Sequence, residues 1–138
     1  LTREGLKPLS RWEKPLNQNG VNLLKQMGLT ASQISRKVQN GNVIVETVFS
    51  RTTGFARLYE KQFQNTFIDK SSQTQRIEGF LFGFPACCVN TFIEHPYTPN
   101  ELLTEQQKIL FHWACNHCRI TPLLLPAYQD IYRFLENS

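Results

Sequence analysis

Every cysteine and every histidine of this 138-residue chain falls in its last 52 residues. They are Cys87, Cys88, Cys115 and Cys118, with His95, His112 and His117. The first 86 residues contain neither type. Thiols and imidazoles are the side chains that hold soft metals and carry redox chemistry. Their confinement directs the search for chemistry to the C-terminal half. It also predicts that this half is organised around a shared cluster.

Charge is segregated as well. Residues 1–75 hold 11 Lys and Arg against 5 Asp and Glu, a net +6, and residues 76–138 hold 4 against 6, a net −2. The basic half is suited to an anionic partner, a nucleic acid or an acidic protein. It is equally consistent with an ordinary solvated surface. Hydrophobic residues make up 41% and charged residues 19%, a globular rather than disordered balance. The longest nearly unbroken apolar run, Gly79 to Val89, is about half of the ~18–20 residues that span a bilayer. No membrane segment is expected. No signal-peptide pattern opens the chain, so the expected compartment is the cytoplasm.

The length suits one domain, 1–138. It is divisible into a basic part, 1–75, and a cysteine-containing helical part, 76–138, across the polar run Asp69 to Gln75. Val21 to Met27 reads as a short helix stopped by Gly28. Thr30 and Gln33 match a capping box, and Ile34 and Val38 share a helical face, which predicts a second helix ending near Asn40-Gly41. Asn42 to Arg51 is β-branched and aromatic, a strand. Thr52-Thr53-Gly54 then turns into a return strand or a helix start, so a small β-hairpin is expected near 42–63. Beyond Arg76, Pro85 can open a helix carrying Cys87 and Cys88. Thr104 to Trp113 reads as a helix, and Pro122 and Pro126 as breaks. Ala127 to Glu136 reads as a final amphipathic helix. The predicted class is α+β, mostly helical.

Cys115-x-x-Cys118 has the spacing of a metal knuckle, in which the backbone turns so that both sulfurs face one ion. Cys87-Cys88 would complete four ligands. Neighbouring helical side chains project about 100° apart, so one of the two could be a ligand and the other core. His112, one helical turn before Cys115, could replace it. Zinc and an iron–sulfur cluster both suit these ligands. A structural zinc would contribute on the order of 10 kcal/mol to folding. Redox-active thiols, disulfides and inert buried thiols remain open alternatives.

The segment ILFHWACNHCRITPLLLPAYQDIY resembles the active-site region of thioredoxin-like proteins, with an apolar stretch and Trp113 ahead of Cys115-Asn116-His117-Cys118. That resemblance implies a thiol–disulfide oxidoreductase with Cys115 as nucleophile and Cys118 as resolving thiol. GFPACC and HWACNHC, followed by TPLLLPAY, resemble the GFP-x-CC and HW-x-C-x-x-C motifs of an uncharacterised prokaryotic family. The resemblance implies that Cys87, Cys88, Cys115 and Cys118, with His112, act together. LLKQMGLTASQISRKVQNG resembles a phage-type helix–turn–helix, with Gly28, Leu29, Ile34 and Val38 in its turn and packing slots. That resemblance implies a DNA-binding regulator, with Ser32 and Gln33 at base edges and Arg36 and Lys37 at phosphates. Gly-rich phosphate loops, nucleophile elbows and His-Glu-x-x-His pairs are absent from the sequence.

Overall fold

The structure is a computed structural model that describes residues 1–137. It is an α+β, mostly helical fold with a small four-stranded sheet. The chain divides into two compact units, Thr2–Lys70 and the residues from Ser71 onward with Leu1. Among the described residues no helix is long and apolar enough to cross a membrane.

The first unit contains β1 (Ser10–Trp12), α1 (Gln18–Gln26), β2 (Thr30–Lys37), β3 (Val43–Ser50), α2 (Thr53–Phe63) and β4 (Thr66–Phe67). Asn17 caps α1 by accepting from the Gly20 amide. Gly28, at φ +79, ends it, in the left-handed conformation a β-carbon would resist. The sheet order is β1-β3-β2-β4, with β4 parallel to β2 and the other pairs antiparallel. β2 and β3 form the hairpin, pairing from Thr30↔Ser50 to Lys37↔Val43. Ala56, Tyr59 and Phe63 are the buried residues of α2. With Leu9, Ile34 and Val48 they belong to the buried core of this unit.

The expected second helix is therefore a strand, and no helix–turn–helix forms. Ile34 and Val38, four apart, fit a period of two as well as one of 3.6. Long-range pairing with β3 selects the strand. Ile34 and Arg36 are buried along β2 while Ser35 between them is half-exposed and Lys37 is exposed. Ser32, Gln33, Arg36 and Lys37 thus occupy a sheet strand rather than a recognition helix. Arg36 is 2% exposed, which withdraws it from any phosphate. The expected hairpin near 42–63 is also corrected. Its strand is β3, but its partner precedes it, and residues 53–63 are helical.

Arg36 is buried with both terminal nitrogens matched, while its Nε has no hydrogen-bond partner. Its Nη1 lies 3.3 Å from Glu46 Oε1 and 3.3 Å from the Tyr59 hydroxyl, and its Nη2 donates to the Phe67 carbonyl at 3.3 Å. The Tyr59 hydroxyl donates to Glu46, and the guanidinium lies 4.7 Å from the Phe63 ring centroid. Burial, then the bond to Glu46, hold the Tyr59 phenol well above its usual range. A buried charge of this kind is tolerated only with its partners in place.

The second unit is helical: α3 (Ser72–Phe82), α4 (Ala86–Glu94), α5 (Thr104–Lys108) and α6 (Thr121–Glu136). The Ser71 hydroxyl caps α3 by accepting from the Thr74 amide at 3.2 Å. Gly83, at φ +77, closes α3, and the Phe84 amide donates back to the Gly79 carbonyl at 2.8 Å, a standard left-handed helix ending. Pro85 then opens α4, as its position in the sequence suggests. The helix expected over 104–113 stops at Lys108, and residues 109–120 form an irregular loop. α6 starts earlier than expected. Pro122 sits in its first turn, where a missing amide costs nothing, and the helix continues through Pro126.

Candidate metal centre

The first turn of α4 and the loop that leads into α6 converge on one cluster. Cys87 and Cys88 both contribute, their sulfurs 4.0 Å apart. The Cys87, Cys88 and Cys118 sulfurs all lie within 4.8 Å of one another. The expected division of the adjacent pair into one ligand and one core residue is therefore not needed: a helix's first turn brings both sulfurs to the same place. Cys88 is buried, Cys87 is exposed, and Cys115 and Cys118 are intermediate. Three cysteine sulfurs this close could hold a metal ion.

Cys115 is tied to the same cluster. Its amide donates to Cys88 Sγ at 3.4 Å, while its own sulfur lies outside the group of three. Both Cys115 and Cys118 come from the loop after α5 rather than from a helix end. The loop is held in shape by Asn100 and Gln107. Asn100 Nδ2 donates to the Ala114 carbonyl at 2.9 Å, and Gln107 Nε2 donates to the His112 carbonyl at 2.8 Å.

Thr121, the first residue of α6, is the neighbour of the cluster that the sequence did not single out. Its amide lies 3.2 Å from Cys118 Sγ and its hydroxyl 3.1 Å from the same sulfur. Its hydroxyl is also 2.9 Å from His112 Nε2. A hydroxyl has one proton to give. With that proton on Cys118, His112 must donate from Nε2 to the Thr121 oxygen. His112 is thus buried behind Thr121 and reaches Cys118 through it, so it stands outside the group of three sulfurs. In the sequence Thr121 is an ordinary threonine ahead of Pro122, with no motif around it that marks it.

The thiols are not equivalent. Although Cys87 is exposed as a residue, partial desolvation of its sulfur among the other thiols pushes the thiol up to about 11, and the neighbouring Cys118 and Cys115 thiols push the same way. Burial also raises Cys88, more than the Cys115 amide lowers it. At Cys118 burial again opposes ionisation, but the donors from Thr121, Cys88 and Ile120 outweigh it, and the thiol sits below its usual value. Amide and hydroxyl donors aimed at a sulfur favour its anionic form, the form that binds metal.

Cys88 and His112 also line a cavity of about 360 Å³ walled largely by aromatic rings. His117, inside the Cys-x-x-Cys loop, is exposed. Ser32, Gln33, Arg36 and Lys37 belong to the other unit. No family model, curated protein or solved structure matches this chain.

Proposed function

We propose that the cysteine cluster holds a single metal ion, zinc, and that this ion organises the helical unit. The ligands are Cys87, Cys88 and Cys118, with Cys115 as the fourth. The observation that carries the reading is the mutual approach of three sulfurs to within 4.8 Å. Four thiolates around a tetrahedral zinc at ~2.3 Å stand about 3.8 Å apart, so the three grouped sulfurs need to contract by at most about an ångström, and Cys115 must turn its sulfur in to complete the set. An iron–sulfur cluster puts several iron and sulfide atoms between its thiolates, which demands a wider spread than these sulfurs have. Four protein ligands leave no position for substrate, and the ion is then structural. The donors from Thr121 and from the Cys115 amide are of the kind that fix and stabilise metal-bound thiolates.

X-ray absorption on the zinc-loaded protein tests this. The account expects four sulfur neighbours near the usual zinc–thiolate distance. A set with only two sulfurs, or an iron–iron distance in iron-loaded protein as purified, would sink it.

One observation favours a second reading. The donors 3.1 and 3.2 Å from Cys118 would equally activate it as a nucleophile. In that case the Cys118 thiolate attacks a substrate disulfide, and Cys87 resolves the mixed disulfide. The substrate leaves as a dithiol, and the protein is oxidised to a Cys87–Cys118 disulfide. This is a thiol–disulfide oxidoreductase that uses Cys118, not Cys115, first. The two readings separate on metal: a metal-free protein turning over a disulfide substrate supports the second.

A further inference from the structure

The cavity beside the cysteine cluster has walls of a particular kind. Phe84, Phe92, Tyr97, Phe111 and Trp113 all line it, and the acidic residue among its lining is Glu78. Neither lysine nor arginine lines it. Aromatic faces carry negative electrostatic potential, and a carboxylate adds to it. An anion would be repelled here, and a neutral apolar ligand would make no use of the carboxylate. The volume, about 360 Å³, is at the small end of the range for small-molecule sites.

The walls are fixed in advance. Phe92 and Tyr97 meet edge to face at 5.0 Å, and Tyr97 and Trp113 at 5.4 Å, both with an interplanar angle of 81°. The Trp113 indole donates to the Thr98 carbonyl at 2.6 Å, which sets the plane of its ring. Tyr97 holds a left-handed backbone, φ +59, a conformation that costs a non-glycine residue on the order of 1 kcal/mol or more. That strain is retained where the ring joins the aromatic corner. Gln107 is occupied with the loop, accepting from Asn100 at 3.1 Å and from the Ala114 amide at 3.2 Å. The corner formed by Phe92, Tyr97 and Trp113 is preformed, which spares a ligand part of the cost of ordering it.

We infer that this cavity is a binding site for a small organic cation of the quaternary-ammonium type, set against the aromatic rings with the Glu78 carboxylate among the lining. The inference does not depend on the identity of the metal. It needs only the folded helical unit, and its test reads the cavity directly.

The test uses the full chain with Trp12 replaced by Phe, so that Trp113 alone reports by fluorescence. Trp12 is a half-exposed residue of the other unit. The probes are choline and 3,3-dimethylbutan-1-ol, which has the same shape and no charge. Choline should give a saturable change, and the neutral isostere should bind about tenfold more weakly or worse. Glu78→Gln should weaken choline severalfold while leaving the isostere unchanged. Tyr97→Gly, which keeps the left-handed backbone open to the chain, should weaken choline with the fold intact by circular dichroism. No saturable response to choline in folded protein overturns the inference. So does equal binding of the two probes, or a Glu78→Gln protein that binds choline like the parent.

Discussion

Replacing Thr121 by Val tests the logic of the cysteine site at one atom. Valine keeps the β-branched shape and leaves the amide 3.2 Å from Cys118 Sγ in place. It removes the hydroxyl that lies 3.1 Å from that sulfur and 2.9 Å from His112 Nε2. A hydrogen bond to a charged group contributes about 1.5–3 kcal/mol. If the bond is made chiefly to the metal-bound thiolate, that loss falls on metal affinity, at about 1.4 kcal/mol for each factor of ten. The expected loss is therefore about ten- to hundredfold, the range seen when partners behind metal ligands are removed. The assay is competition for zinc against a chromophoric chelator, on wild type, Thr121→Val and Thr121→Ser. Serine keeps the hydroxyl and should restore most of the affinity. Thr121→Val with wild-type affinity would refute the assignment. Equal losses in Thr121→Val and Thr121→Ser would show that packing, not the hydroxyl, matters.

Other perturbations read other parts of the structure. Glu46→Ala strands the buried Arg36 charge and should cost about 3–5 kcal/mol in urea unfolding, whereas Glu46→Gln, which keeps an acceptor for Tyr59, should cost less; a loss under about 1 kcal/mol for the alanine variant would contradict the network. Gly79→Ala puts a methyl 2.6 Å from Val89 Cγ2, so thermal unfolding should show about 1–3 kcal/mol of destabilisation, partly recovered by adding Val89→Ala. Burial, reinforced by Arg11, lowers Lys7 from 10.5 to about 8. Between those values the unfolded chain binds the proton and the folded chain does not, so this group's contribution to stability rises with pH from about 8 towards 10.5. The stability gap between Lys7→Met and wild type should accordingly narrow over that window in urea titrations, and a gap independent of pH would exclude the burial of Lys7.

The legible parts of the sequence were those where local chemistry decides. Gly28 stops α1, Pro85 opens α4, and the β-branched run before Ser50 is a strand, each for a reason contained within a few residues. β2 was not legible because its capping-box pattern and the Ile34–Val38 spacing satisfy helix and strand alike. The choice belongs to β3, several residues away. Arg36 and Lys37 look alike in sequence, yet one is buried against Glu46 and the other is exposed, a distinction made only by the alternation of a paired strand. At the cysteine site the residue types and spacing pointed to the cluster. The roles within it needed three dimensions, because Thr121 is a common residue at a helix start, followed by Pro122. Nothing local says that its hydroxyl bridges His112 and Cys118.

The central claim is that one ion joins Cys87, Cys88, Cys115 and Cys118. The direct measurement is metal content and free-thiol count on one sample of anaerobically purified protein. The account predicts about one zinc per chain, with thiols that stay masked until a chelator is added and a helical unit that loses structure when they are exposed. Four freely reactive thiols without metal, two disulfides, or several irons per chain would contradict it.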